Sequence, residues 1–196
     1  PGRYTTIKYQ MGTDPYITIE SVGRRMYYLP GESTYSLPYV HADGIHGFHP
    51  VQLNDDESYG KADLDAFVDV GSIVLLDVSH TISGQTVDFE VSWTALDAIA
   101  GENLVLHAAI IENMTTRNIG TNGQTEFHQV MKKMVPDGEG TPSAAMVRGD
   151  EGSLSLSYTF NGSYDEDASF RDMVDHESAH TVEEFDDLEV VVWVQD

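Results

Sequence analysis

Apolar residues recur along this chain in two rhythms, and the change falls near Gly71. Upstream, Ile19, Val22, Met26 and Leu29 are spaced by three and four. That spacing predicts a helix over 13–29, with Thr13 or Asp14 as N-cap and Pro15 at the first helical position. Residues 4–9 read as a short strand, and 37–52 as two short strands around an Asp43-Gly44 turn. Residues 55–70 place acids in a first turn ahead of Leu64, Phe67 and Val68, which predicts a second amphipathic helix despite Gly60. Downstream the rhythm is that of strands. In TVDFEVSW, Val87, Phe89, Val91 and Trp93 alternate with Asp88, Glu90 and Ser92, as expected of a half-buried antiparallel strand. LVLHAAII and VVVWV are apolar on both faces and are expected at central positions. SIVLLDVSHTI and GSLSLSYTF complete a set of short strands separated by Gly, Asn and Asp turns, the pattern of a sandwich. The chain therefore divides into 1–71 and 72–196, with no internal repeat.

Composition adjusts this picture in three ways. Forty per cent of the 196 residues are hydrophobic, enough for a packed core. Asp and Glu number 33 against 10 Lys and Arg, a formal charge of −23. Nucleic acid and anionic membranes both require clustered cations, so neither is an expected partner. Such a charge suits a chain kept soluble outside the cell or in the presence of divalent cations. There is no cysteine, which removes disulfides, thiol catalysis and Cys-ligated zinc. No apolar run is long enough to span a bilayer, and PGRYTTIKYQ is not a signal peptide. The absence of an initiator Met is expected of a processed or trimmed chain.

Four stretches carry candidate chemistry. HESAH, residues 176–180, spells His-Glu-x-x-His. On a helix, His176 and His180 would share one face for zinc, and Glu177 would activate the bound water. A third ligand is missing at metzincin spacing, where Glu183 and Asp186 stand, which leaves Glu183, Glu184, Asp186, Asp187 and Glu189 as candidates. The competing expectation is an acidic turn before the last strand. HADGIHGFHP offers His41, His46 and His49, set against a plain strand–turn–strand that throws alternate side chains to opposite faces. SYDEDASFRD gathers Asp165, Asp167 and Asp172 as candidate calcium ligands, against a solvated acidic loop. TEFHQVMKKMVPDGEGT reads as a long connection between strands. Its Phe127, Val130, Met131 and Met134 either cap the core or, with Lys132 and Lys133, form an adaptable contact surface.

DPY, RRMYY and LPYVHADG upstream, with LVLHAAIIEN, TNGQTEFHQVMKKMVPDGEGT and VVVWVQD downstream, together resemble a known family. It comprises secreted Bacteroidetes-type proteins related to the 28-kilodalton outer membrane protein. The resemblance runs along most of the chain. It implies a thioredoxin-like domain followed by a β-sandwich, with Pro38 as the cis-proline. The strand and helix that carry a Cys-x-x-Cys-like unit in that family are absent from this sequence. Residues 1–71 are accordingly expected to be an incomplete thioredoxin-like unit, without a redox pair.

The expected fold is thus α+β: a partial thioredoxin-like α/β unit, then an antiparallel β-sandwich. The expected function is a non-catalytic extracellular structural, assembly or adhesion subunit, with no catalytic or cofactor-binding residue. A calcium-dependent glycan- or protein-binding module is the alternative, and a zinc peptidase through HESAH the contrasting one. A thioredoxin-like sheet missing its central first strand would close up with residues 4–9 beside 38–42, take up an upstream segment, or accept a strand from another chain. The expected partner is accordingly a further copy, adding strands into an oligomer or filament through residues 1–50 and the 121–141 stretch.

Overall fold

The structure is a computed structural model that describes residues 4–12, 14–31, 37–44, 46–48, 61–99, 101, 103–166 and 173–196. Among the described residues strands take 44% and helices 11%, a β-rich α+β class with mostly antiparallel sheets. In chain order the elements are α1 (Ile19–Tyr28), β1 (Val40–Ala42), β2 (His46–Phe48) and α2 (Lys61–Val68). They continue with β3 (Val74–Ser83), β4 (Thr86–Ala95), β5 (Val105–Thr115) and β6 (Phe127–Val135). The last are β7 (Thr141–Pro142), β8 (Glu151–Thr159), β9 (Ser163–Tyr164), β10 (Ala179–His180), a 3-10 turn at Phe185–Asp187 and β11 (Leu188–Gln195). No described helix is long and apolar enough to cross a membrane.

The residues cluster into two units, Pro1–Thr5 with Arg25–Ser72, and Thr6–Arg24 with Ile73–Asp196. In the first, β1 and β2 form the antiparallel hairpin expected from the sequence, pairing Val40 with Phe48 and Ala42 with His46. Asp43 and Gly44 both adopt positive φ, the backbone that an Asp-Gly turn supplies at low steric cost. The Leu37–Pro38 bond is cis. Tyr28 stacks on His41, ring centroids 4.4 Å apart. Among the described residues this unit holds a two-stranded sheet and α2, so a thioredoxin-like sheet is not displayed by them.

In the second unit two sheets share a core. One runs β3-β4-β8, and the other β11-β5-β6, with β7 also on β5. Val87, Phe89 and Val91 of β4 meet Leu106, Ala108 and Ile110 of β5, joined by Val135, Leu188 and Val190. The strict alternation of β4 is what lets one face enter this core while Asp88, Glu90 and Ser92 stay exposed. β5 lies between β11 and β6 and is buried on both faces, as its unbroken apolar run predicts. β11 differs from expectation: among the described residues it pairs only with β5 and is an edge strand. Its two apolar faces have another cause. Val190 faces the shared core, while Val191 and Trp193 pack on a second cluster of Ala109, Ile111, Met131 and Met134. Covered faces and paired edges are separate requirements, and the sequence pattern reports only the first.

Two segments upstream of the core, residues 4–9 and α1, depart from the sequence pattern. Residues 4–9 are not a strand. Only Lys8 bridges, in parallel, to Val130, with the Lys8 amide donating to the Gln129 carbonyl at 2.9 Å and the Met131 amide to the Lys8 carbonyl at 3.0 Å. Ile7 and Tyr9 then lie on the second cluster. α1 begins at Ile19 instead of near residue 15. Its cap is Thr18, whose Oγ1 accepts the Ser21 amide at 3.1 Å. Most unexpectedly, α1 buries Glu20, Ser21 and Arg24 and leaves Ile19 59% and Met26 62% exposed, the reverse of its apolar spacing. The reason lies in the partners of those buried charges.

The stretch read as a long connection is itself a strand, β6, and Phe127, Val130, Met131 and Met134 are core residues there. Its pairing with β5 slips by one residue, Met131 facing Ile111 and Lys133 facing Ile110, so Lys132 is the extra residue of a bulge. The bulge brings Met131 and Met134 to one face and erases the alternation that would have signalled a strand.

Candidate functional site

The buried ionisable residues of the second unit gather where residues 14–24 and 173–184 meet β5, β6, β8 and β11. Lys132 is 2% exposed and Glu112 fully buried, with Nζ and Oε2 3.0 Å apart. Lys132 Nζ also donates to the Thr181 carbonyl at 2.8 Å and lies 4.1 Å from the centroid of the Tyr16 ring. Glu112 Oε1 accepts the amides of Glu183 and Glu184 at 2.9 and 2.6 Å. Burial lowers the Lys132 ammonium to about 8, with Glu112 opposing that shift. Burial likewise raises the Glu112 carboxyl against the pull of Lys132 and the two amides. Both shifts disfavour the charged forms, so desolvation outweighs attraction, and the pair fixes geometry more than it adds stability.

A second group forms around Glu20, which is paired with Lys133 and with His176, the latter at 3.1 Å. Burial alone would raise its carboxyl, but hydrogen bonds and charge from His176 and Lys133 together bring it down to about 2. Lys133 also lies over the Tyr158 ring. The third group is Arg24, which donates to Gln195 Oε1 at 2.6 Å, approaches His107 Nε2 at 3.5 Å and sits over Trp193. His107 stacks on Trp193 at 5.0 Å, and burial, reinforced by Arg24, lowers its imidazole to about 4. These contacts explain why α1 turns its polar face inward: Glu20 and Arg24 each meet prepared partners there.

The HESAH residues fall among these groups without forming a zinc helix. Residues 176–178 are a turn, held by Asp175, whose carboxylate accepts the Glu177 amide at 3.1 Å and the Ser178 hydroxyl at 2.7 Å. Ala179 and His180 then pair in parallel with Ser163 and Tyr164 of β9. His176 turns to Glu20, while His180 meets Gln85 Nε2 at 2.7 Å among Phe160, Tyr164 and Phe185. A shared i, i+4 face is therefore not formed, and Glu177 is exposed on the turn. Of the candidate third ligands, Glu183 accepts the Thr116 and Arg117 amides, both at 2.7 Å, and the Tyr16 and Tyr164 hydroxyls at 3.1 and 3.3 Å. Asp187 accepts the Met114 amide at 2.9 Å, and Glu189 accepts from Asn113 at 3.1 Å. Among the described residues no group of three or more His, Asp or Glu is placed to hold a metal.

Of the candidate calcium ligands, Asp165 follows β9, its amide donating to the His180 carbonyl at 2.8 Å. Asp167 and Asp172 lie outside the described residues. Of the histidines in HADGIHGFHP, His41 packs between Tyr28 and Tyr39, and burial lowers its imidazole. His46 is a β2 residue opposite Ala42, and His49 is outside the described residues. Sequence reasoning missed Lys132 and Lys133 as buried cations, and Glu20, Glu112 and Tyr16 as their partners. The adjacent lysines in an apolar stretch were the available signal. Their partners lie too far away in the chain to be named from it.

The outer face of β3-β4-β8 carries a shallow depression lined by Ser79, Thr81, Asp88, Glu90, Ser155 and Ser157, with His80, Phe89 and Leu156 between them. The register sets Thr81, Asp88 and Ser157 in one row and Ser79, Glu90 and Ser155 in the next. Ser157 donates to Asp88 at 2.6 Å, and Thr86 and Thr159 hydroxyls meet at 2.8 Å. Comparison with protein-family models, with curated proteins and with solved structures finds no match. The likeness to Bacteroidetes secreted proteins rests on the quoted motifs alone.

Proposed function

We propose that this chain is a non-catalytic structural or adhesive module of an extracellular assembly, associating with further copies of itself. The observation that supports it is the use of the ionisable side chains. Glu20, Glu112, Glu183, Lys132, Lys133 and His176 are engaged with one another or with backbone, tying residues 14–24 and 173–184 to β5 and β6. Groups held this way fix a scaffold. In this proposal the incomplete thioredoxin-like part, with Pro38 at its cis-proline, is what residues 25–72 retain, since residues 6–24 cluster with the sandwich of 73–196. The charge of −23 fits a surface exposed to salt and divalent cations.

A second reading is calcium-dependent binding of a glycan or protein. The rows of hydroxyls and carboxylates on the outer face of β3-β4-β8 are suited to hydrogen-bonding a glycan, while the candidate calcium ligands of this reading remain Asp165, Asp167 and Asp172. Light scattering across a concentration series tests the first reading, and thermal melting with millimolar calcium against sodium of equal ionic strength tests the second. Association with no calcium-specific shift supports the structural module. A monomer with a calcium-specific shift supports the binding module instead.

A further inference from the structure

β8 closes one side of its sheet. Among the described residues it pairs with β4 and with nothing beyond, so one edge of Glu151–Thr159 presents backbone donors and acceptors. The β4–β8 ladder runs from Thr86–Thr159 to Thr94–Glu151 without a slip, so the edge carries no bulge. EGSLSLSYT also lacks proline and lysine, the residues that usually blunt an exposed edge. β3, at the opposite side of the sheet, lies against β11, and β8 likewise approaches β6 of the facing sheet.

We infer that the free edge of β8 is a self-pairing surface, on which β8 of a second copy lies antiparallel about a two-fold axis through Ser155. This inference rests on the self-association proposed above and names its surface. Antiparallel pairing must oppose residues of the same face, which restricts the axis to a residue position and excludes a one-residue slip. With the axis at Ser155, Glu151 faces Thr159 of the copy, Gly152 faces Tyr158, Ser153 faces Ser157, and Leu154 faces Leu156. Every pair then joins residues of the same face across the seam. The exposed Ser153, Ser155 and Ser157 continue the hydroxyl rows of the outer face, and the half-buried Leu154 and Leu156 continue the inner layer. An axis at any other residue of the strand shortens the ladder.

β8 itself sets no charge against a second copy. In a chain of −23, β8 carries a single ionised side chain, Glu151, and the two-fold places that carboxylate at opposite ends of the seam in the two copies. Like charges directly opposite one another destabilise a sheet, and here none meet. A basic foreign strand would gain nothing from β8 itself. The pairing is isologous, so it closes at two subunits; growth into a filament needs another surface.

Because the chain contains no cysteine, single cysteines report this register without background. The full chain carrying Ser155→Cys, treated with a short bismaleimide, should give a covalent dimer. Ser153→Cys alone should not, whereas Ser153→Cys with Ser157→Cys should. Ser155→Lys, which sets two ammonium groups across the axis at an exposed position, should weaken association at least tenfold in light scattering. Equal cross-linking by Ser153→Cys and Ser155→Cys would overturn the register. A multimer that Ser155→Lys leaves intact, and that Ser155→Cys does not cross-link, would overturn the surface while leaving self-association standing. A monomeric parent chain at high micromolar concentration would remove both.

Discussion

Lys132 and Glu112 show how a buried pair can define a structure without stabilising it greatly. Removing one partner strands the other charge in the interior, whereas removing both leaves a cavity lined by Tyr16 and backbone amides. Lys132→Met is expected to cost on the order of 3–5 kcal/mol, and Lys132→Met with Glu112→Gln to recover most of that. A double-mutant cycle in urea measures the difference. His107 and Glu20 give the pH dependence its shape. His107 takes its proton near 6.5 when unfolded but only near 4 when folded, so its stabilising contribution is complete above 6.5 and disappears as pH falls towards 4. The full effect is on the order of 3 kcal/mol. Glu20, held at about 2 against an ordinary 4.5, contributes above 4.5 and loses that contribution as pH falls towards 2. Urea midpoints against pH should therefore fall less steeply between 6.5 and 4 in His107→Gln than in the parent. In Glu20→Gln the relief should appear below 4.5. Identical slopes in parent and variants would contradict the assignments.

At the scale of elements, what was legible depended on whether one face alone decides the pattern. β4 was read correctly because a single core face dictates its alternation, and the β1–β2 hairpin because Asp43-Gly44 prescribes the turn. β6 was missed because the bulge at Lys132 and the positive φ of Gln129 break its period. The apolar spacing of α1 does not mark its buried side: Ile19 and Met26 are exposed and Val22 and Leu29 only half-buried, since Glu20 finds Lys133 across 113 residues of sequence. No local rule anticipates such a pair. HESAH does not lie on the helix that a zinc motif needs, because Asp175 closes a turn there instead. Glu177→Gln, on that exposed turn, should change stability by less than about 0.5 kcal/mol. His176→Ala should cost about 1–3 kcal/mol by removing a partner of buried Glu20. Elemental analysis of protein purified without chelator should find less than stoichiometric zinc. One zinc per chain, lost in both variants together with peptidase activity, would reverse this account.

The whole molecule is governed by its charge. At −23 per chain, both folding and association work against self-repulsion, and ions screen that repulsion over about 10 Å at 0.1 M salt. Melting temperature and the associated fraction should therefore both rise with sodium chloride. A salt-bridge-driven interface would weaken instead. The central claim is that the chain is a self-associating module, and its most direct test is light scattering of the native chain from low to high micromolar concentration in moderate salt. The account predicts a mass that climbs from 21.7 kDa towards at least twice that value as concentration rises. A mass that stays at 21.7 kDa over the whole range would contradict it.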